Sequence, residues 1–197
     1  MKLVSLTTLQ SYLDIPTDTT SNYVNEDFDT LLNYLIEFVS SRIENFLNRN
    51  LELTERTEYC ESGRRKYYLS SFPIINPSTM TVKVDTSTET FESDYYVRED
   101  EGLLEFEYKT TYIRPKEIEV TYRGGYTETD GVLNVPSSLQ YACMLQCAFI
   151  FRKRKEIGMA WVGTPDVNRI STDYGGMDLL KEVKEILMKY RRIPGDR

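Results

Sequence analysis

Glu107-Tyr108-Lys109 is the stretch of this 197-residue chain that comes nearest to an active-site signature. A carboxylate and a lysine two residues apart on a strand, with Asp94 or Asp100 upstream, could hold Mg²⁺ for a metal-dependent nuclease. The same residues also fit a plainer pattern. Glu105, Glu107 and Lys109 alternate with Leu104, Phe106 and Tyr108, which is the outer face of an amphipathic strand. So short a motif arises readily by chance, and the nuclease using Asp100, Glu107 and Lys109 is kept only as the alternative. Composition closes other routes. The chain has no histidine, so neither a Ser-His-Asp nor a Cys-His nucleophile can be built, nor a His-ligated zinc or haem. There is no P-loop and no GxGxxG to cradle a phosphate. The expectation is a protein that is not an enzyme and uses no cofactor or metal.

Cys60, Cys143 and Cys147 make an odd number with no CxxC pair. Cys143 and Cys147 stand four apart and share one helical face, so they read as small buried hydrophobes in a reducing compartment. Met1–Leu6 turns polar at Ser5, too soon for a signal peptide. The apolar run Ala142–Phe151 is interrupted by Gln146 and is too short for a bilayer. A protein that is cytosolic or part of a virion, with no membrane contact, is expected.

The net charge is −7, with 24 basic and 31 acidic residues, and it is unevenly spread. Residues 1–60 carry −6, residues 61–136 carry −5, and residues 137–197 carry +4. Such asymmetry suits two faces with different partners. The overall sign and the lack of a basic recognition helix argue against specific DNA binding.

Periodicity supplies the elements. Ser5–Asp14 reads as a short helix capped by Ser5 and stopped by Pro16. Glu26–Asn48 is the strongest helix, with Phe28, Leu31, Leu32, Leu35, Val39, Ile43, Phe46 and Leu47 recurring at steps of three and four. Its first turn carries Glu26, Asp27 and Asp29, which suit the helix dipole. Period-two runs follow at 57–60, 66–70, 80–84, 104–108 and 118–122, giving five or six strands. The segments 85–93 and 127–134 read as polar loops or, for the former, a hairpin tip. Pro136 announces a helix over 137–155, the Gly-rich 157–177 reads as a long loop, and 178–190 closes as a helix. The expected fold is α+β, with N- and C-terminal helices packed together and a small antiparallel β module inserted between them. The expected divisions are 1–54, 55–126 and 127–197, with the two helical parts forming one domain.

Several stretches, in order, resemble the head–tail connector (adaptor, head-completion or "DNA-packaging") proteins of tailed bacteriophages. Val4–Leu13 is similar to their short first helix. Leu31–Asn50, with Ile43-Glu44-Asn45-Phe46-Leu47-Asn48-Arg49, is similar to their long helix. Phe72-Pro73-Ile74-Ile75 is similar to their turn before a strand. Val120-Thr121-Tyr122-Arg123-Gly124-Gly125-Tyr126 is similar to their strand exit. Val135-Pro136-Ser137-Ser138-Leu139 with Ala142 is similar to their next helix start, and Tyr190-Arg191-Arg192 to their ending. The departures are Arg123 before Gly124 and the long, Trp-bearing 157–177 segment.

The resemblance implies a structural virion protein. It would form a ring of about twelve subunits between the portal protein and the tail or the next head-completion protein, and would extend the DNA channel. It would sit at the head–tail interface, after assembly in the host cytoplasm. Lys189, Tyr190, Arg191, Arg192 and Ile193 are the candidate portal-binding segment. Trp161 is the candidate subunit contact, since aromatics dominate interface energetics. Glu26, Asp27, Glu37 and Glu44 are candidate channel-lining residues, because a channel that passes DNA without specific binding must not be richly basic.

Overall fold

The computed structural model describes residues 1–15, 26–61, 63–85, 87–108, 117–153 and 178–192. Its elements are α+β, as the periodicities require. Helix α1 is Leu6–Tyr12, and Ser5 caps it by accepting the Thr8 N–H at 3.1 Å. Helix α2 runs Glu26–Leu47 and ends at Asn48, which is left-handed with φ 52°. Helix α3 is Ser137–Lys153 and α4 is Lys181–Met188.

Two compact units result. The helical unit gathers Lys2–Ile43 and Pro136–Lys189. Its buried side chains include Leu9, Leu32, Ile36, Val39, Ile43, Leu139, Ala142, Cys143, Cys147, Val183 and Leu187. Thus α2 does not bury the whole apolar set its sequence suggests. Phe28 and Leu31 stay exposed, and Ile36 takes their place, because the helix carries two apolar stripes and only one is fully buried; Phe28 still meets the Phe151 ring at 6.4 Å. Tyr12 and Tyr141 meet edge-on at 6.3 Å. Gln146 lies on the buried face of α3 and is fully satisfied. Its Oε1 accepts the Leu180 N–H at 2.9 Å, and its Nε2 donates to the Asp178 carbonyl. That anchor holds 178–180 out of the helix, so α4 starts at Lys181 and not at Asp178.

The β unit gathers Glu44–Val135 and the C-terminal residues from Tyr190. Strands β1 (Thr54–Glu61), β7 (Glu117–Gly124), β3 (Thr81–Val84) and β4 (Ser87–Glu89) form one antiparallel sheet in that order. Strands β2 (Lys66–Tyr68), β6 (Leu103–Phe106) and β5 (Tyr95–Arg98) form a second. Strands β1 and β2 are therefore neighbours in sequence but belong to different sheets. Val82, Val84, Ile118, Val120 and Tyr122 of the first sheet pack with Tyr67, Tyr95, Leu104 and Phe106 of the second in one core. The stretch expected as a polar loop at 127–134 is a hairpin of β8 (Glu128–Thr129) and β9 (Val132–Leu133). Asp130 and Gly131, at φ 51° and 78°, make its tight turn.

Candidate functional site

The sequence motifs that carry the family resemblance converge on one side chain of the β unit. Arg49 follows the αL residue that ends α2, and it is only 5% exposed. Its guanidinium carbon lies 3.6 Å from the Phe72 ring centroid and 5.5 Å from that of Tyr126. Its Nη2 donates to the Phe72 carbonyl at 2.8 Å. Arg49 Nε has no hydrogen-bond partner among the described residues. The flat cation lies over the Phe72 π face, which supplies attraction in place of an acceptor. Burial lowers the Arg49 pKa, and the Tyr126 phenol works against that shift; even so, a guanidinium remains charged at neutral pH.

Glycine makes the convergence possible. A Cβ on Gly124 would stand 2.3 Å from the Ser71 carbonyl oxygen, and one on Gly125 would stand 2.4 Å from that of Glu52. The Ser71 hydroxyl donates to the Gly124 carbonyl at 2.8 Å, and the Gly125 N–H to the Pro73 carbonyl at 2.9 Å. Tyr126 N–H closes on the Leu51 carbonyl at 2.7 Å. Beside this, Glu58 accepts the Ser70 N–H at 3.0 Å and the Ser70 and Tyr122 hydroxyls. Burial, then the Glu58 charge, pushes the Tyr122 phenol well above its ordinary range.

The described part of the basic C-terminal segment is anchored in the same unit. The Arg192 N–H donates to the Leu47 carbonyl at 2.9 Å, satisfying an open carbonyl at the end of α2. Arg192 Nη2 donates to the Tyr68 carbonyl at 2.5 Å, and the Arg191 guanidinium lies 4.9 Å over the Phe46 ring. Cations at a helix C-terminus are favoured by its dipole. Arg192 stands between a polar pocket of about 250 Å³, shared with Glu44, Asn48, Arg49 and Ser70, and a groove of about 580 Å³ walled by Tyr59, Glu61, Tyr67 and Tyr68. Lys189 and Arg191 are exposed and Tyr190 is half-buried. Ile193 and Trp161 lie outside the described residues, as does Lys109.

Among the channel candidates, Glu37 is exposed and pairs with Lys2 at 3.7 Å. Glu44 is half-buried, and its Oε1 accepts the Leu51 N–H at 3.0 Å, so it has a local task at the end of α2. The side chains of Glu26 and Asp27 lie outside the described residues. The two carboxylates of the nuclease alternative are not brought together. Asp100 is in the turn before β6 and Glu107 follows its far end, which at strand rise separates them by on the order of 20 Å. Asp94 does lie across from Glu107, whose N–H donates to its carbonyl at 2.9 Å, but its carboxylate accepts the Thr90 N–H at 2.7 Å. Glu105 pairs with Arg65 at 3.3 Å and Lys66 at 3.9 Å on the outer face of its strand. Among the described residues no group of three or more Cys, Asp or Glu could hold a metal ion, and no helix is long and apolar enough to cross a membrane.

The sequence of the chain matches the profile of a family described as head completion protein over residues 2–193. Two solved structures are similar in fold. One is a protein from the neck of an empty gene transfer agent particle computed with C6 symmetry, with a TM-score of 0.55 at 13% identity, covering 98% of this chain and 93% of that one. The other comes from the virion of the native gene transfer agent particle, with a TM-score of 0.54 at 13% identity and the same coverage, 98% and 93%. No curated protein sequence matches the chain.

Proposed function

The chain belongs to the head completion protein family, and we propose that it is a structural ring component joining the portal to the tail or to the next head-completion protein. The observation that carries this reading is the reach of the family match, residues 2–193, which takes in both the helical and the β unit. A fold shared with a protein of a particle neck averaged sixfold supports a ring, and about twelve copies would be a multiple of that symmetry. Closed rings form when one face of each subunit meets a different face of the next. A net charge of −7 suits a wall that lets DNA slide past, because cationic surfaces hold DNA through counterion release. Glu26, Asp27, Glu37 and Glu44 are the proposed lining. The protein would reside in the virion at the head–tail interface.

The proposed portal contact is Lys189–Ile193. Arg191 and Arg192 are held beside the end of α2 by the bonds given above, so the segment starts from a fixed point. Trp161 is the proposed aromatic contact between copies.

The test is native mass measurement of the protein mixed with the portal ring encoded in the same genome. A gain of about one copy per portal subunit is expected. Removal of residues 190–197 should abolish that gain while leaving a folded protein. A wild-type protein that stays monomeric beside an intact portal would refute the connector role, and full loading by the truncated chain would refute the portal-binding segment alone.

A further inference from the structure

The end of α2 gathers cations that the chain leaves without counter-ions. The sequence holds 31 acidic residues against 24 basic ones, and cations elsewhere are paired, Arg65 with Glu105, Lys83 with Glu119 and Lys184 with Asp178. Arg49, Arg191 and Arg192 form no ion pair among the described residues. Arg49 and Arg192 share the walls of the polar pocket of about 250 Å³. Arg49 is only 5% exposed, and its Nε has no hydrogen-bond partner among the described residues. Asn45 and Asn48 stand at the exposed rim, and their side-chain amides make no hydrogen bond among the described residues. Glu44 also lines the pocket, but its Oε1 accepts the Leu51 N–H at 3.0 Å and it pairs with neither arginine. Two guanidiniums against one carboxylate leave the pocket positive, with free amide donors at its mouth.

We propose that this pocket receives a single carboxylate side chain of the partner protein, which under the connector reading above is the portal. The proposal rests on that reading for the partner's identity but not for the chemistry of the pocket. A carboxylate is planar and accepts two parallel N–H bonds, which is what the fork of an arginine offers. Single charge matters as well. The last carbonyls of α2 bring negative partial charge to this end of the helix, and the Arg192 N–H is already bonded to that of Leu47. That field and Glu44 disfavour a doubly charged phosphate more than a carboxylate. Nucleic acid presents a row of phosphates and not one group, and a chain of net charge −7 repels it. Arg192 is fixed in advance, with its N–H on the Leu47 carbonyl and its Nη2 on that of Tyr68, so little side-chain freedom is lost on binding. Charge that is uncompensated in the free subunit and paired in the complex selects an acidic partner.

The experiment has two arms, both on the full chain. In the first, sodium acetate is titrated while the Arg49 Nε–H signal is followed by NMR, since burial protects that proton from exchange. The shift should saturate, sodium chloride at equal ionic strength should not reproduce it, and Arg192→Gln should abolish it. In the second, copies loaded per portal ring are counted by native mass across a protein titration. Arg192→Gln should need about tenfold more protein for half loading, the loss of one charge-assisted hydrogen bond. Arg192→Lys, with charge but no fork, should fall between that variant and wild type. Asn48→Asp puts a carboxylate beside the two arginines and removes neither, so it should weaken loading too, and it remains informative if Arg192→Gln unfolds. Melting temperatures close to wild type separate lost contact from lost fold. An Arg49 signal that moves alike in acetate and chloride would overturn the pocket. Saturable acetate binding with full loading by Arg192→Gln and Asn48→Asp would overturn the portal carboxylate as its occupant. If wild type itself does not load, the connector reading and the portal assignment fall, while the acetate arm still decides the pocket.

Discussion

Replacing Arg49 tests whether the converging motifs are held by a buried cation or merely by volume. The side chain is 5% exposed, donates to the Phe72 carbonyl at 2.8 Å and lies 3.6 Å from the Phe72 ring centroid. A hydrogen bond from a charged donor contributes about 1.5–3 kcal/mol, and a desolvated cation–π contact about 2 kcal/mol. Against these stands the cost of removing the guanidinium from water. Arg49→Ala loses both interactions, leaves a buried carbonyl without its donor and opens a cavity, so about 3 kcal/mol of destabilisation is expected. At about 2–4 °C per kcal/mol for a chain of this size, the melting temperature should fall by about 6–12 °C. Arg49→Met refills the space without the charge and should recover only part of that loss. Arg49→Lys keeps charge but not the flat stacking plane and should resemble Met more than wild type. The assay is thermal melting at neutral pH with urea titration as a check on ΔG. A melting temperature for Arg49→Ala within about 2 °C of wild type would refute the role of the cation. So would Arg49→Met melting above wild type, since that would make the buried charge a net cost.

Gly124→Ala should destabilise by about 2–4 kcal/mol in urea unfolding, because its Cβ would stand 2.3 Å from a backbone oxygen that cannot step aside. Gly131→Ala is the control, with φ 78° but nothing within 4 Å of its Cβ, and should cost about 1–2 kcal/mol. Alkaline titration gives a further check. Burial raises the phenols of Tyr12, Tyr95 and Tyr122 above 10, with Glu58 adding to the shift at Tyr122. A raised native value means that the unfolded chain releases these protons first. Stability should therefore be flat below about pH 10 and decline above it, with Tyr122 contributing up to about 1.4 kcal/mol per pH unit. Tyr122→Phe should remove one group's share of that decline; an unchanged slope would contradict the burial of this phenol.

The helices were legible where side chains alone decide them. The Ser5 cap, the reach of α2 and the start of α3 after Pro136 all follow from local sequence. The strands were legible as alternation but not as partners. Strand β1 pairs with β7 about sixty residues away and not with the adjacent β2, and period two says nothing about which edge meets which. The Asp130-Gly131 hairpin did carry a local signal, since Asp-Gly is a tight-turn dipeptide. It was overridden by the polarity of its flanks, whose strands are two residues each. The beginning of α4 was not legible because Gln146, thirty-odd residues upstream, takes the bonds that would extend it.

Arg49 shows why a site can be spelled in the sequence and still go unread. Asn48-Arg49, Phe72-Pro73-Ile74 and Gly124-Gly125-Tyr126 are unremarkable apart, and no periodicity links them. They become one object only when backbone approaches, permitted at Gly124 and Gly125, bring Ser71 and Glu52 within bonding range. What these motifs share is the closing of the β unit, with the end of α2 and Arg192 tied to it. The exposed side chains Leu31, Tyr34 and Phe38 of α2 take no part in that convergence. Phe28 meets the Phe151 ring at 6.4 Å, while Leu31, Tyr34 and Phe38 stay exposed, so their sequence reads as surplus hydrophobicity in an otherwise satisfied helix. A helix whose periodic set is too wide for one buried face reads in sequence as more deeply packed than it is, and in α2 the surplus is Leu31, Tyr34 and Phe38.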